Sequence, residues 1–307
     1  MSSATIQLQV RPRGKPIKSL PETLSISPTD SASELYQQLA GKTRYSIHQL
    51  RVTKGSDGSV VENTRDVAVS STGLRDQSTI FVKDLGPQIG WRTVFLIEYA
   101  GPIFIHPLIY VLRPYIYRHA PAQGSFLQYL TMLLVVGHFV KRELETLLVH
   151  RFSAATMPFK NVFKNSFHYW VLAGAHMAAW MYAPGSFTAR EPNLVILYSG
   201  LALYALGEFL NLQVHLTLMR LRSPGGTERA IPEGPLFRLV TCPNYTTETV
   251  SWLGVWMVSN FNLAVLVFLV VSVGQMMQWA SKKERRYRKE FGSKYPRKRF
   301  TMLPGIW

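Results

Sequence analysis

Strongly apolar stretches near residues 91–112, 126–140, 167–183, 193–218, 246–259 and 262–280 constrain this chain more than any other feature. A hydrocarbon layer about 30 Å thick takes roughly 20 apolar residues to cross as a helix. A strand or loop would leave backbone N–H and C=O groups without partners in lipid. Residues 87–307 are therefore expected to form an α-helical polytopic membrane bundle of six or seven transmembrane helices. The fifth stretch is short for that thickness, and Asn260-Phe261-Asn262 reads as a tight turn into the sixth.

The charges follow the same plan. Net charge is +16 over 307 residues, and no Asp occurs after Asp84. Beyond residue 86, Lys and Arg outnumber Glu by 23 to 10, whereas residues 1–86 are nearly balanced. That shift predicts two domains, 1–86 and 87–307. The basic residues lie between apolar stretches rather than along one soluble face, which argues against a nucleic-acid partner. Lys141, Arg142, Arg151, Lys160 and Lys164 follow the second stretch, and Arg220, Arg222, Arg229 and Arg238 follow the fourth. A basic tail running from Lys282 through Arg297, Lys298 and Arg299 follows the sixth. The alternate loops hold Arg113, Arg118 and Arg190. This asymmetry predicts an even number of spans with both termini cytosolic. Residues 1–20 lack a continuous apolar core, so the first span is expected to serve as an internal signal anchor rather than a cleaved leader.

Residues 1–86 alternate instead. Thr5–Val10 and Leu24–Ser27 read as strands, and Ser31 with Glu34 opens a helix with apolar positions at Leu35, Leu39 and Ile47. Gln49–Lys54 and Thr79–Lys83 read as further strands, with Gly55-Ser56-Asp57-Gly58 as turn residues between them. Strand, strand, helix, strand, strand predicts a ubiquitin-like β-grasp domain (α+β). It carries no catalytic pattern, so docking or stabilisation is its expected role.

Polar groups inside apolar stretches mark the candidate site, since each is costly in lipid unless paired or hydrated. GPLFRLVTCPNYTTETVSW, from Gly234 to Trp252, holds Arg238, Asn244, Tyr245 and Glu248. Pro243 is preorganised for a helix start. Asn244, Glu248 and Trp252 then share one face, with Tyr245 turned about a third of the way round. A helix cap with interfacial aromatics would give the same spacing. Glu98 precedes Gly101-Pro102, where a kink is expected. His138, Lys141, Arg142 and Glu145 form one helical stripe, and Tyr204, Glu208, Asn211 and His215 another. Each has a plain structural reading, such as an i,i+4 bridge between Lys141 and Glu145. Together they predict a shared polar cavity open to the cytosol.

Several chemistries are disfavoured. The two histidines nearest in sequence are His168 and His176, so the clustered imidazoles of a membrane di-iron centre are missing and no metal is expected. No nucleophile elbow, P-loop or strand-linked glycine fingerprint occurs, and Gly225-Gly226 reads as a loop. The lone Cys242 rules out an intrachain disulfide and reads as a small packing residue.

The segment GPLFRLVTCPNYTTETVSWLG and the tail WASKKERRYRKEFGSKYPRKRFTMLPGIW resemble the C-terminal half of the steroid 5α-reductase superfamily. Within it the chain is most similar to the very-long-chain trans-2-enoyl-CoA reductases, with EYAGP at Glu98–Pro102 and KRELETLLVHRFSAATMPFKNVFKNS from Lys141 to Ser166 as further matches. The resemblance covers nearly the whole chain, because that family also begins with a ubiquitin-like domain. It implies an NADPH-dependent enzyme of the endoplasmic reticulum membrane. Its reaction would be the last step of microsomal fatty acid elongation, giving saturated acyl-CoA for very-long-chain lipids and sphingolipids. Other elongation enzymes would be its partners. By position, the resemblance gives Asn244 and Glu248 to the nicotinamide end of the cofactor. It gives Asn211, Arg222 and Tyr287 to the adenine and phosphate end, with Lys164 and Arg151 in a loop near the phosphates. Tyr245 matches the proton donor, and Glu98 an acidic residue that polarises the carbonyl in steroid reductases. His138-Phe139 stands where those enzymes carry His-Tyr, which disfavours a ketone substrate.

The expected mechanism is hydride attack at Cβ of the enoyl thioester, with Lys141 stabilising charge on the thioester oxygen and Glu98 orienting Lys141 or a water. Tyr245 protonates Cα, helped by the field of Arg238 or Lys141. Alternatives are a steroid or polyprenol reductase of the same superfamily, a membrane methyltransferase using S-adenosylmethionine, and a non-enzymatic scaffold.

Overall fold

The computed structural model describes residues 5–118, 120–152, 154–223, 230–296 and 299–307. Gly225-Gly226, Arg229, Arg297 and Lys298 lie outside the described residues. Two compact units form, Met1–Gly90 with Ala155–Asn161, and Trp91–Ala154 with Val162–Trp307.

In the first unit, strands β1 (Ile6–Pro12) and β2 (Thr23–Ile26) precede helix α1 (Ala32–Thr43). Strands β3 (Leu50–Lys54) and β4 (Thr79–Asp84) follow. The sheet order is β2-β1-β4-β3, with β1 parallel to β4 and the other pairs antiparallel. The register pairs Leu8 with Leu24, Val10 with Ile80 and Val52 with Val82, so alternate residues of every strand reach one core. Leu35 and Leu39 cover that face from α1. Ser31 caps α1 by accepting from the Glu34 amide, and Arg44 ends it at φ 62°. Ile47 therefore lies past the helix end and packs against the core from a loop. Two further short strands, β5 (Gln88–Gly90) and β6 (Thr156–Pro158), pair antiparallel within this unit.

The second unit is helical. It comprises α2 (Trp91–Ile116), α3 (Phe126–Leu148) and α4 (Asn161–Ser166), then a π-helical stretch Phe167–His176 continuing into α5 (Met177–Met181). Helices α6 (Leu194–Arg220), α7 (Pro235–Leu239), α8 (Pro243–Val258) and α9 (Leu263–Phe291) complete it. Among the described residues, three helices are long and apolar enough to cross a membrane: Trp91–Ile116, Leu194–Arg220 and Leu263–Lys294. The protein is thus a mostly helical membrane protein. The second expected span, 126–140, is the first part of α3, which runs on beyond it through Lys141, Arg142, Glu143 and Glu145. At 16 residues α8 is about 24 Å long, short of the hydrocarbon thickness. Helix α2 continues through Pro102, Pro107 and Pro114 as one element.

The pairing of α6 with α8 is the most extensive helix contact in the unit. It depends on backbone proximity: a Cβ on Gly207 would fall 2.5 Å from the Ser251 amide nitrogen, and one on Gly254 2.5 Å from that of Tyr204. These glycines let the polar faces of α6 and α8 meet. The turn from α8 into α9 places Asn260 and Phe261 at positive φ, and the Asn262 side chain then caps α9 through the Ala264 amide.

Candidate active site

Helix α3 presents His138, Lys141, Arg142 and Glu145 on one side because those positions recur at helical spacing, and all four meet side chains of α6 or α8. His138 lies between two carboxylates, with Nδ1 2.7 Å from Glu208 Oε1 and Nε2 3.0 Å from Glu248 Oε1. Both contacts are satisfied together only by the imidazolium form, in which each ring nitrogen donates. Lys141 Nζ reaches Glu145 Oε1 at 3.1 Å, Glu208 Oε2 at 2.9 Å and Asn211 Oδ1 at 2.9 Å. Arg142 donates to Glu145 Oε2 at 2.6 Å and to the Tyr99 hydroxyl at 3.1 Å. The carboxylates of Glu145, Glu208 and Glu248 are thus balanced by His138, Lys141 and Arg142, which is what permits them to be buried.

Asn211 links this cluster to the first turns of α8. Its Nδ2 donates to the Asn244 carbonyl at 3.0 Å, to Thr247 Oγ1 at 3.2 Å and to Glu248 Oε2 at 3.4 Å. Trp252 Nε1 adds a contact to Glu248 Oε1 at 3.3 Å. Pro243 opens α8 at N1, and the first turns set Asn244 and Glu248 beside Asn211 of α6, while Trp252 one turn on packs against His138 and Phe139 of α3 and Phe268 of α9. Asn244 Oδ1 is buried and accepts no hydrogen bond from the described residues. Tyr245 packs instead against Cys242, Met276 and Met302, with its ring 6.3 Å from that of Trp279. Arg142 and Tyr99 lie close enough to Tyr245 to act on it electrostatically.

Three sequence-derived candidates sit differently from their expected company. Glu98 is buried on α2 and takes a hydrogen bond from Asn165 rather than contacting Lys141. Its neighbour Tyr99 is the α2 residue that joins the ionic cluster, through Arg142. Lys141 donates to Asn211 Oδ1 and is ion-paired with Glu145 and Glu208, so these groups rather than Glu98 are its company. Arg238 is exposed on α7, so Arg142 takes the place expected of it near Tyr245.

The candidates for the phosphate end divide into three places. The side chains of Arg151 and Arg222 each donate to the other's backbone carbonyl, which ties the chain after α3 to the chain after α6. Lys164 is exposed on α4. Tyr287 is buried on α9, in edge-type contact with the rings of Phe291 and Tyr295 and beneath the Lys283 ammonium.

Sequence spacing missed a second cluster. Glu145, His150 and His215 bring ligand-type atoms within 4.8 Å of one another, although the histidines are far apart along the chain. Arg142 already supplies the positive charge there, donating to Glu145 and lying 3.2 Å from His215 Nδ1. Burial, reinforced by Arg142 and His215, pushes His150 down to about 3, so this imidazole is neutral at physiological pH.

The segment ending at Trp307 was also missed as a structural part of the site. Val240 bridges Phe300, Thr241 N donates to the Phe300 carbonyl at 2.8 Å, and Cys242 N donates to that of Thr301 at 2.9 Å. Thr246 donates to the Met302 carbonyl from the first turn of α8. The buried Glu284 accepts from Thr241 and from Tyr295 at 2.7 Å, and its other oxygen is ion-paired with Arg288 at 2.7 Å. Burial pushes the Tyr295 phenol up, which keeps it a donor to Glu284. The start of α8 is therefore fixed from two sides. Only the sequence pair Glu284-Arg288 at i,i+4 gave any signal of this.

These features define a membrane-embedded oxidoreductase class: residues 155–307 match the family described as 3-oxo-5-alpha-steroid 4-dehydrogenase. Over nearly its whole length the chain is similar to a very-long-chain enoyl-CoA reductase of Dictyostelium discoideum, at 39% identity across 92% of this chain and 94% of that one. It is also 33% identical to a trans-2,3-enoyl-CoA reductase-like protein of Mus musculus, across 78% of this chain and 68% of the relative. The corresponding protein of Homo sapiens is 30% identical over 78% and 67%. The chain belongs to the very-long-chain enoyl-CoA reductase family.

Proposed function

We propose that the protein reduces trans-2-enoyl-CoA to saturated acyl-CoA with NADPH, as the last step of very-long-chain fatty acid elongation. The observation that carries this reading is the near full-length identity to an enoyl-CoA reductase, together with the buried ionic cluster that α3, α6 and α8 build. On the same reading the protein is a resident of the endoplasmic reticulum membrane with six or seven transmembrane helices and both termini cytosolic. Its product would feed sphingolipid synthesis, and other elongation enzymes would be its neighbours. Residues 1–86 would be a ubiquitin-like β-grasp module, a reading supported by the mixed sheet crossed by α1, and residues 87–307 the reductase.

The residues fit a nicotinamide dinucleotide. The unpartnered, buried Asn244 Oδ1 is an acceptor suited to a carboxamide N–H, with Glu248 one turn on. Arg151 and Arg222 offer guanidinium groups of the kind that bind phosphate, with Lys164 and Tyr287 as further candidates at that end. Bound there, the cofactor supplies hydride to Cβ of the substrate.

This chain's own residues then have two tasks. One is to stabilise the negative charge that develops on the thioester oxygen, for which Lys141 and Glu98 remain the candidates. Lys141 would share its charge between that oxygen and the neighbouring carboxylates of Glu145 and Glu208. The other is to deliver a proton to Cα, for which Tyr245 is the candidate. Arg142, which also donates to Tyr99, is the candidate for a positive field on Tyr245 during transfer.

A steroid substrate is the reading favoured by the family match alone. Phe139 weighs against it, being buried against Tyr99, Tyr169 and Trp252 with no hydroxyl to assist a ketone. The deciding experiment follows NADPH oxidation by the purified protein, offered a long-chain trans-2-enoyl-CoA or a steroid enone. Saturated acyl-CoA as product is expected. Reduction of the enone with no reduction of the thioester would overturn the proposal.

A further inference from the structure

Helix α9 keeps one face turned into the protein and another turned out along its whole length. The inner face runs Phe268, Ser272, Met276, Ala280, Glu284 and Tyr287, all buried. The outer face begins with Val267 and Val271, passes Gln278, and ends with Lys282, Arg285, Arg286 and Lys289, all exposed. These four cations recur at i, i+3, i+4 and i+7, so they share one stripe. The remaining cations of the same turns are used internally: Arg288 pairs with Glu284 at 2.7 Å, and Lys283 lies over Tyr287 at 5.7 Å. On the outer stripe Arg286 Nε lies 3.9 Å from Glu290 Oε2, a long ion pair with both groups partly exposed. The helix thus sorts its positive charges into a structural set and an outward set.

Position along the helix says what the outward set meets. Val267 and Val271 are on the face that would touch lipid tails, and the half-exposed Trp279 comes directly before the stripe, where interfacial aromatics belong. From Lys282 to Lys289 the helix rises about 10 Å, comparable to the depth of a headgroup layer and to the ~8 Å screening length in physiological salt. We propose that Lys282, Arg285, Arg286 and Lys289 form a binding surface for anionic phospholipid headgroups of the leaflet from which α9 emerges. The stripe holds lipid through its phosphate and carboxylate oxygens, and is separate from the side of α9 that carries Lys283 and Tyr287. A juxtamembrane cluster of four or more cations is the pattern that such lipids favour. The inference rests on the apolar turns of α9 lying in a bilayer, which recovery of the protein in nanodiscs checks by itself.

The test uses the full chain in nanodiscs of phosphatidylcholine alone or with added phosphatidylserine, beside a variant carrying K282Q, R285Q, R286Q and K289Q. Wild-type protein is expected to retain phosphatidylserine at least about tenfold more than the variant after detergent extraction. It should also melt at a higher temperature in the mixed discs, by a margin that shrinks as salt is raised. Equal melting of variant and wild type in phosphatidylcholine alone would show that the substitutions leave folding intact. Wild-type retention of phosphatidylserine no greater than the variant's overturns the proposal. So does a variant that keeps the lipid response but shows a raised KM for enoyl-CoA in neutral discs, since the stripe would then serve the substrate's phosphates instead.

Discussion

The first unit encloses Leu8, Val10, Leu24, Ile26, Leu35, Leu39, Val52, Ile80 and Val82, and its buried polar groups are limited to small hydroxyl residues such as Ser33, Thr43 and Thr53. The helical unit encloses Glu145, Glu248, His138, Arg142, Asn211 and His215 as well as an apolar core. The difference separates two uses of burial. Apolar area removed from water stabilises the sheet and α1 without any specific partner, at about 25 cal/mol per Å². Buried charges stabilise little in net terms and are strongly destabilising when one partner is lost. A chain that retains such a cluster between α3, α6 and α8 is holding groups in place for something other than stability, and the cluster adjoins Tyr245 and Asn244.

Tyr245 offers the largest break in this comparison. Tyr245→Phe should keep NADPH binding and lose on the order of 10²–10⁴ in turnover, the usual contribution of a general acid. Single-turnover assays with enoyl-CoA measure it, and wild-type rates would remove Tyr245 from the mechanism. Glu145→Ala should act on stability instead, costing about 3–5 kcal/mol because Arg142 would lose its carboxylate partner, whereas Lys141 keeps Glu208. Thermal unfolding in detergent reads this out, and an unchanged melting point would mean that the cluster is hydrated and dispensable. A smaller effect is expected from Arg222→Ala. Loss of a charge-assisted contact to the extra phosphate should weaken NADPH by about 1.5–3 kcal/mol and NADH much less. Equal weakening of both would mean that Arg222 only clasps Arg151.

What was legible in the chain follows the same division. Period-two alternation gave every strand of the main sheet to within two residues, because a half-buried sheet writes its register into the sequence. Helical periodicity likewise gave the stripes on α3 and α6, and the expectation that they converge is met by the pairs His138 with Glu208 and Lys141 with Asn211. Convergence with α2 was read from the wrong residue. An acidic group in an apolar span draws the eye to Glu98, yet Tyr99 makes the contact, and a tyrosine among apolar residues gives no such signal. The links between Arg151 and Arg222, and between His150 and His215, could not be read at all. They join residues on separate elements through loop geometry that no periodicity records. The π-helical turn pattern from Phe167 to His176 is also invisible to a reading based on apolar content.

The mildest expected effect comes from removing the first unit's main sheet. Every matched catalytic and cofactor position falls between Glu98 and Tyr287, and the sheet with α1 has its own closed apolar core, as a unit able to fold alone requires. Deleting residues 1–84 leaves Gln88–Gly90 in place, so the pairing of β5 with β6 just ahead of α4 can persist in the truncated chain. Turnover per mole of NADPH-binding protein should then stay within about twofold of wild type, as expected for a change that removes no candidate site residue and is worth under ~0.5 kcal/mol. Normalising to binding-competent protein matters, because lower yield from a less stable bundle would otherwise mimic lost catalysis. A truncated protein that binds NADPH normally and does not turn over would make the N-terminal unit part of the active site or its gate. It would also erase the contrast between a unit built for stability and one built for chemistry.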